Sequence, residues 1–272
     1  MLPYQLSDST SKSITSSRRK LFEQPPTQNV IGFNICSLSL EAQLSKMLQW
    51  ADQRLSKVVC VANVHMIMEG NWHSDFSDVL NQADLLTPDG MPLAWMMSWL
   101  QLKKQERVAG MDIFVGLCKQ ADERPVSLFL VGSTPETLGK IQQRLSDEFP
   151  GVQVAGMVPL PFRPLTVSED KALVQHINDS KAGLVFVCLG CPKQEQWMHA
   201  HKGQIDAVMI GLGGAFSMFA GEVKRAPKFA RELGLEWLYR LFQEPRRLWK
   251  RYFSTIPPFL FLAFRQAVSK TL

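Results

Sequence analysis

From Asn29 onward, short apolar runs alternate with stretches in which apolar residues recur every three or four positions. Runs of strand length fall at 30–35, 57–63, 84–87, 126–131, 152–157, 184–189 and 207–212. Between the first two, Leu40, Leu44, Met47, Leu48, Ala51 and Leu55 recur at helical spacing, and further helices are predicted over 91–102, 111–121, 134–149 and 168–178. Strand and helix in alternation predict an α/β fold, a Rossmann-like, mainly parallel sheet flanked by helices. After Gly221 the strands stop. Segments 227–242, 245–253 and 258–268 read as helices, each opening at or near a proline, a residue suited to the first helical turn. The pattern therefore divides the chain into a polar leader (1–28), an α/β core (29–221) and a C-terminal helical appendage (222–272), with no internal repeat.

Charge sharpens that division. The net charge is +5, but residues 222–272 hold eleven Lys/Arg against four Asp/Glu, a net +7, and the preceding 221 residues carry −2. The same tail holds ten of the 26 aromatic residues. Basic and aromatic residues together suit an anionic membrane surface or a phosphate-rich ligand. A nucleic acid would also attract the charge, but no recognised binding module is present, so none is expected as a partner. No run of about 20 apolar residues exists to span a bilayer. The first twenty residues lack the apolar core of a secretory signal. Of five cysteines (Cys36, Cys60, Cys118, Cys188, Cys191), all but Cys191 sit in or beside apolar runs, as buried thiols do. These features predict a cytoplasmic protein, peripheral at a membrane.

Candidate chemistry gathers where predicted strands end. In Thr87-Pro88-Asp89-Gly90-Met91-Pro92 a strand runs into a polar turn and then a helix, the place where open parallel sheets bind ligands. Asp89 there is either a catalytic carboxylate or an ordinary turn residue capping a helix. Gly132-Ser133-Thr134-Pro135 places two hydroxyl caps and a proline at a helix start, a terminus suited to phosphate or simply a well-capped helix. In Gly190-Cys191-Pro192-Lys193-Gln194-Glu195, polar groups at the strand rim could bond sugar hydroxyls or phosphate oxygens. The Cys188-x-x-Cys191 spacing, with His199 and His201 nearby, lacks the second pair a zinc site needs, so no metal is expected. Gly211-Leu212-Gly213-Gly214 lets backbone approach a ligand or packs a tight turn. It does not match the dinucleotide fingerprint, which argues against an oxidoreductase and leaves no expected cofactor.

Taken in order, Thr87–Pro92, Glu106-Arg107-Val108-Ala109-Gly110-Met111-Asp112, the Gly132–Glu136 and Gly190–Glu195 segments, Gly211–Phe216, and Val223-Lys224-Arg225-Ala226-Pro227 through Leu241 closely resemble the WecG/TagA/CpsF glycosyltransferases, glycosyltransferase family 26. The resemblance covers roughly 29–252. It implies transfer of a sugar, N-acetylmannosamine, glucose or a related hexose, from a UDP-sugar donor to a polyprenyl-diphosphate-linked acceptor, with inversion, in cell-surface polysaccharide synthesis. It implies Asp89 as catalytic base and Asn63, Gln194 and Glu195 as acceptor-side or sugar-contacting residues. It maps the family's appendage arginines onto Arg225, Arg231 and Arg240, completing the site at the membrane's inner face. Thr87, Gly132, Ser133, Thr134, Gly190, Pro192, Gly211, Gly213 and Gly214 are the further substrate-binding candidates. Two positions depart from the family, Val61 where many members have threonine and Ser217 where many have aspartate. An inactive nucleotide-sugar-binding or membrane-scaffold protein is the alternative those departures leave. Oligomeric state is open, a homo-oligomer included.

The chemistry is consistent with that implication. Inverting transfer needs one carboxylate to take the acceptor's proton and positive potential on the departing diphosphate. No Asp-x-Asp occurs in the chain, so arginines and helix N-termini are expected to supply that potential without a metal.

Overall fold

The computed structural model describes residues 24–161 and 163–271; most of the predicted leader lies outside the described residues. Six parallel strands form the central sheet in the order β4-β3-β8-β7-β5-β6: β3 (Lys57–Ala62), β4 (Leu85–Pro88), β5 (Leu128–Gly132), β6 (Val154–Val158), β7 (Leu184–Cys188) and β8 (Val208–Gly211). Side chains alternate across a strand, and the core divides accordingly. Val59, Val61, Phe186 and Ile210 face one side, with α1 (Leu40–Asp52), α5 (Gly110–Ala121), α6 (Pro135–Glu148) and α9 (Ala215–Phe219). Val58, Cys60, Val187 and Met209 face the other. There they meet α2 (Val64–Trp72), α3 (Ser74–Asn81), α4 (Met91–Gln101), α7 (Val167–Asp179) and α8 (Lys193–Ala200). The α/β fold read from the sequence is the one observed.

Four predicted elements differ. The run at 30–35 is a two-stranded antiparallel hairpin, β1 (Thr27–Val30) and β2 (Phe33–Cys36), because Ile31 and Gly32 adopt positive φ and turn the chain. Helices α2 and α3 were not foreseen. Residue 227–242 is not one helix but α10 (Lys228–Glu232) and α11 (Glu236–Gln243), separated at Gly234, whose φ of 74° no right-handed helix admits. Conversely 245–253 and 258–268 belong to a single helix, α12 (Pro245–Thr271), that continues through Pro257 and Pro258. Proline normally breaks a helix by removing a donor. Here packing prevails, with α12 laid along α2 and Leu248, Thr255 and Phe259 buried on one stripe.

Candidate active site

The carboxyl ends of the strands share one rim, and Asp89 is fixed on it by the ladder itself. Its N–H donates to Ala62 O at 2.7 Å and Thr87 O at 3.1 Å, extending the β3–β4 pairing by one residue. Gly90, at φ 93°, then turns the chain into α4 and is itself the residue that precedes the helix, with no side-chain cap. The capping role open to Asp89 on sequence grounds is therefore unfilled, and its carboxylate points elsewhere. Enclosure pushes the carboxyl up to about 6. Arg107 and Arg240 pull against that shift, while Glu236 and Asp112 add to it. A carboxylate poised near neutrality takes up a proton and still ionises readily, the balance a general base needs.

Facing it is a bank of guanidinium groups from two directions. Arg107, in the loop before α5, donates to Glu236 of α11 and lies 3.5 Å from Asp112 of α5. Asp112 also receives Arg225, at the start of the tail. Arg240 of α11 reaches the glycine loop after β8, where a Cβ on Gly214 would stand 3.2 Å from its Nη2. Arg251 of α12 donates to Asn63 Oδ1 at 3.3 Å. Arg225, Arg231, Arg240 and Arg251 each keep an enclosed Nε–H with no acceptor. Buried unpartnered donors cost free energy, and an anion in this space would satisfy them.

A second polar group lines the rim beyond Asp89. Asn63 follows β3 and caps α2, accepting from Met66 N–H at 3.1 Å as well as from Arg251. Gln194 and Glu195 open α8, both buried, with Gln194 Nε2 donating to Glu195 Oε1 at 2.7 Å. Gln194 Oε1 and Glu195 Oε2 have no partner, and burial raises the Glu195 carboxyl. Gly211 and Gly213 leave room for that glutamine, since a Cβ at either would meet its amide at 2.9 and 3.3 Å. Gly190, at φ 76°, and Pro192, after a cis bond, shape the turn that delivers α8. Cys188 donates its thiol to Gly213 O at 3.3 Å, and burial raises both Cys188 and Cys191. Among the described residues, no three His, Cys, Asp or Glu side chains gather as a metal cage would require.

Asp89, Asn63, Gln194, Glu195, Gly211, Gly213, Gly214, Arg225 and Arg240 are thus brought to one region of the molecule, and Arg231 lies on the short helix α10 with its Nε–H enclosed. The Gly132–Thr134 turn stands apart, four strands from β4, roughly 19 Å at about 4.8 Å per strand. Its polar groups are occupied: Ser133 N–H donates to Cys188 O at 3.2 Å, and Thr134 caps α6. Glu222 accepts from Thr137 at 3.1 Å and pairs with Lys140 at 2.9 Å beside that helix start. Thr87 is fully buried, its hydroxyl unpartnered. Arg107 and Arg251 are site residues that sequence reasoning did not assign. The signal for Arg251 was its spacing from Leu248, Thr255 and Phe259, visible only if α12 is read straight through its prolines.

An acid held near neutrality beside arginines that keep spare Nε–H donors is the equipment of a transferase with an anionic leaving group. Residues 28–272 match the glycosyl transferase WecG/TagA/CpsF family, and the chain belongs to it. It is accordingly a glycosyltransferase, of the hexose-transferring kind. The N-acetylglucosaminyldiphosphoundecaprenol N-acetyl-beta-D-mannosaminyltransferase of Bacillus subtilis strain 168 is 32% identical over 222 residues, 81% of this chain and 84% of the relative. The protein of that name from Bacillus spizizenii is 32% identical over 212 residues, 78% and 80% of the two chains. Its counterpart from Staphylococcus aureus strain MW2 is 30% identical over 207 residues, 75% and 78%.

Proposed function

We propose that the protein moves N-acetylmannosamine or a related hexose from a UDP-sugar to a sugar carried on polyprenyl diphosphate, with inversion and without a metal, at the inner face of a membrane. The observation that carries this reading is Asp89, an acid held near neutrality beside guanidinium groups with spare donors. The acceptor class follows the relatives, all three of which are named for N-acetylglucosaminyldiphosphoundecaprenol.

In this mechanism Asp89 accepts the proton of the acceptor hydroxyl as that oxygen attacks the anomeric carbon. The bond from that carbon to the β-phosphate oxygen breaks, and its electron pair leaves on UDP. Arg231, Arg240 and Arg251 take the growing diphosphate charge, with Arg225 held at their edge by Asp112. Guanidinium forks match phosphate oxygens, and preset donors need no reorganisation as charge develops. Asn63, Gln194 and Glu195 bond sugar hydroxyls. Gly211–Gly214 admits the diphosphate backbone-close, and Gly132–Thr134 lies toward the nucleoside end.

Residues 222–272 act as lid and membrane contact. None of the described helices is long and apolar enough to cross a membrane. Phe242, Phe253, Phe261 and Phe264 are nonetheless exposed amid the tail's lysines and arginines, a composition that favours an anionic interface.

The test is a panel of UDP-sugars offered with a short-chain prenyl-diphosphate N-acetylglucosamine, with and without chelator, read by mass spectrometry. Transfer from UDP-N-acetylmannosamine that survives chelation is expected. Silence with every donor would reject the proposal, and loss on chelation would reject its metal-free part.

A further inference from the structure

Helix α4 leaves the site directly from Asp89, and it is apolar on every side. Leu93, Met96, Met97 and Leu100 are buried against the sheet. Trp95 and Trp99 are 52% and 50% exposed, and Leu102 is 92% exposed. Positions 95 and 99 lie on one stripe of the helix, and Leu102, its C-terminal cap, follows them at the helix end, so the exposed residues form a short track rather than scattered points. A helix apolar all round is ordinarily buried all round.

Leu102 is unfavourable twice over. It holds the left-handed conformation, φ 52° and ψ 28°, that glycine or asparagine adopts far more easily, and it presents a leucine to water. The tail extends the track from the other side. The turn between α10 and α11 sits on Trp95, so closely that a Cβ at Gly234 would come within 2.6 Å of its ring. Leu233 and Leu235, on either side of that glycine, are both exposed.

Topology supplies the direction. The glycine loops after β5 and β8, together with α8, lie on one side of Asp89 in the strand order, whereas β4 is the sheet edge and α4 leads away from it. A donor held over the inner strands leaves the α4 side for the acceptor. The acceptor's sugar must meet Asp89 while its hydrocarbon continues outward.

We infer that Trp95, Trp99, Leu102, Leu233 and Leu235 form a groove for the first isoprene units of the acceptor's prenyl chain. This rests on the acceptor class proposed above and extends it, since the enzyme then recognises hydrocarbon as well as sugar diphosphate. From Trp95 to Leu102 the strip spans roughly 10 Å at about 1.5 Å per residue, the reach of about two isoprene units, and Leu233 and Leu235 widen it.

The experiment compares kcat/KM for soluble acceptors bearing a single isoprene unit or a three-unit farnesyl chain, without membrane or detergent. The unaltered protein should favour the farnesyl acceptor by roughly tenfold, as the net burial of about two methylene groups predicts. The double variant Trp99→Gln, Leu102→Asn should lose that preference and keep its rate on the short acceptor, both sites being exposed and asparagine suiting a left-handed residue. Equal use of both acceptors by the unaltered protein would overturn the groove while leaving the transferase reading intact. So would a variant that keeps the farnesyl preference but changes its mass in light scattering, which would make the strip a contact between copies. Transfer to neither acceptor would remove the acceptor class and the groove together.

Discussion

In the α/β core, the strands bury their side chains on two faces and close their hydrogen bonds in one parallel ladder, so that Asp89 inherits its position from β3 and β4. The tail is built the other way: α11 buries no residue completely and is joined to the core through Arg107 and Glu236, while Arg225 is joined through Asp112. Arg225, Arg231, Arg240 and Arg251 carry an Nε–H without an acceptor, and most of its aromatic side chains face outward, Phe259 being buried in the core. The core thus places Asp89 by its strand ladder, whereas the tail places Arg225 by charge and Arg251 by the packing of α12 on α2. Charge pairing at a partly exposed seam contributes little to stability, so α10 and α11 bear least on whether the core folds, while α12 adds Phe259 to the core itself.

The sharpest way to break that comparison is Asp89→Asn. Loss of a general base should cut transfer by about a thousandfold. The same change should raise stability at neutral pH. Because the folded carboxyl binds its proton more tightly than an unfolded one, ionising it as pH rises toward about 6 costs stability, and asparagine has no such cost. Thermal melts should show the variant firmer by about 3 kcal/mol; a softer variant with near-normal initial rates would mean that Asp89 is structural.

Arg240→Gln comes next. It should lower kcat by about a hundredfold, the effect of removing one preset donor from a developing anion, with the melting temperature unchanged. A fall in stability equal to the fall in rate would erase the distinction between the two regions. The pH profile is smaller in reach. The kcat/KM of the intact enzyme should drop about tenfold per unit below pH 6 and level off above it. Arg107→Gln should move that bend to higher pH, because Arg107 favours the ionised acid. A profile flat to pH 5 would exclude Asp89 as the titrating base.

The least effect is expected from Glu236→Gln, a loss of a few-fold in rate that grows with added salt as the remaining pairs are screened. Limited proteolysis should cut the tail sooner, with the core transition in place. A core that melts with the tail would show one cooperative unit.

How much of this was legible in the sequence follows the same division. The strands were visible because parallel strands buried on both faces read as unbroken apolar runs. The glycine loops and Asp89 were visible because they interrupt those runs at strand ends. What could not be read were features set by partners distant in sequence. Gly234 splits a predicted helix where the chain packs on Trp95, and Pro257 and Pro258 pass through a helix that α2 supports. Arg251 owes its place to that same support. The Gly132–Thr134 turn reads equally as a phosphate seat or as a capped helix start, and only the fold brings Glu222, some 90 residues later in the chain, to its helix.

The far end of α12 is fastened as well. The side-chain amide of Gln266 receives the Ile31 N–H at 2.8 Å and donates to Asn29 O at 2.9 Å, imitating a strand beside the hairpin. The β1–β2 hairpin and the end of α12 are thereby buckled together, and α12, which carries Arg251, is strung between that buckle and the strand rim beside Asn63. Engineering at the hairpin or at the end of α12 is therefore not remote from the rim: a deletion through residues 29–31, or a truncation before Gln266, would slacken the strap that keeps the Arg251 guanidinium on Asn63.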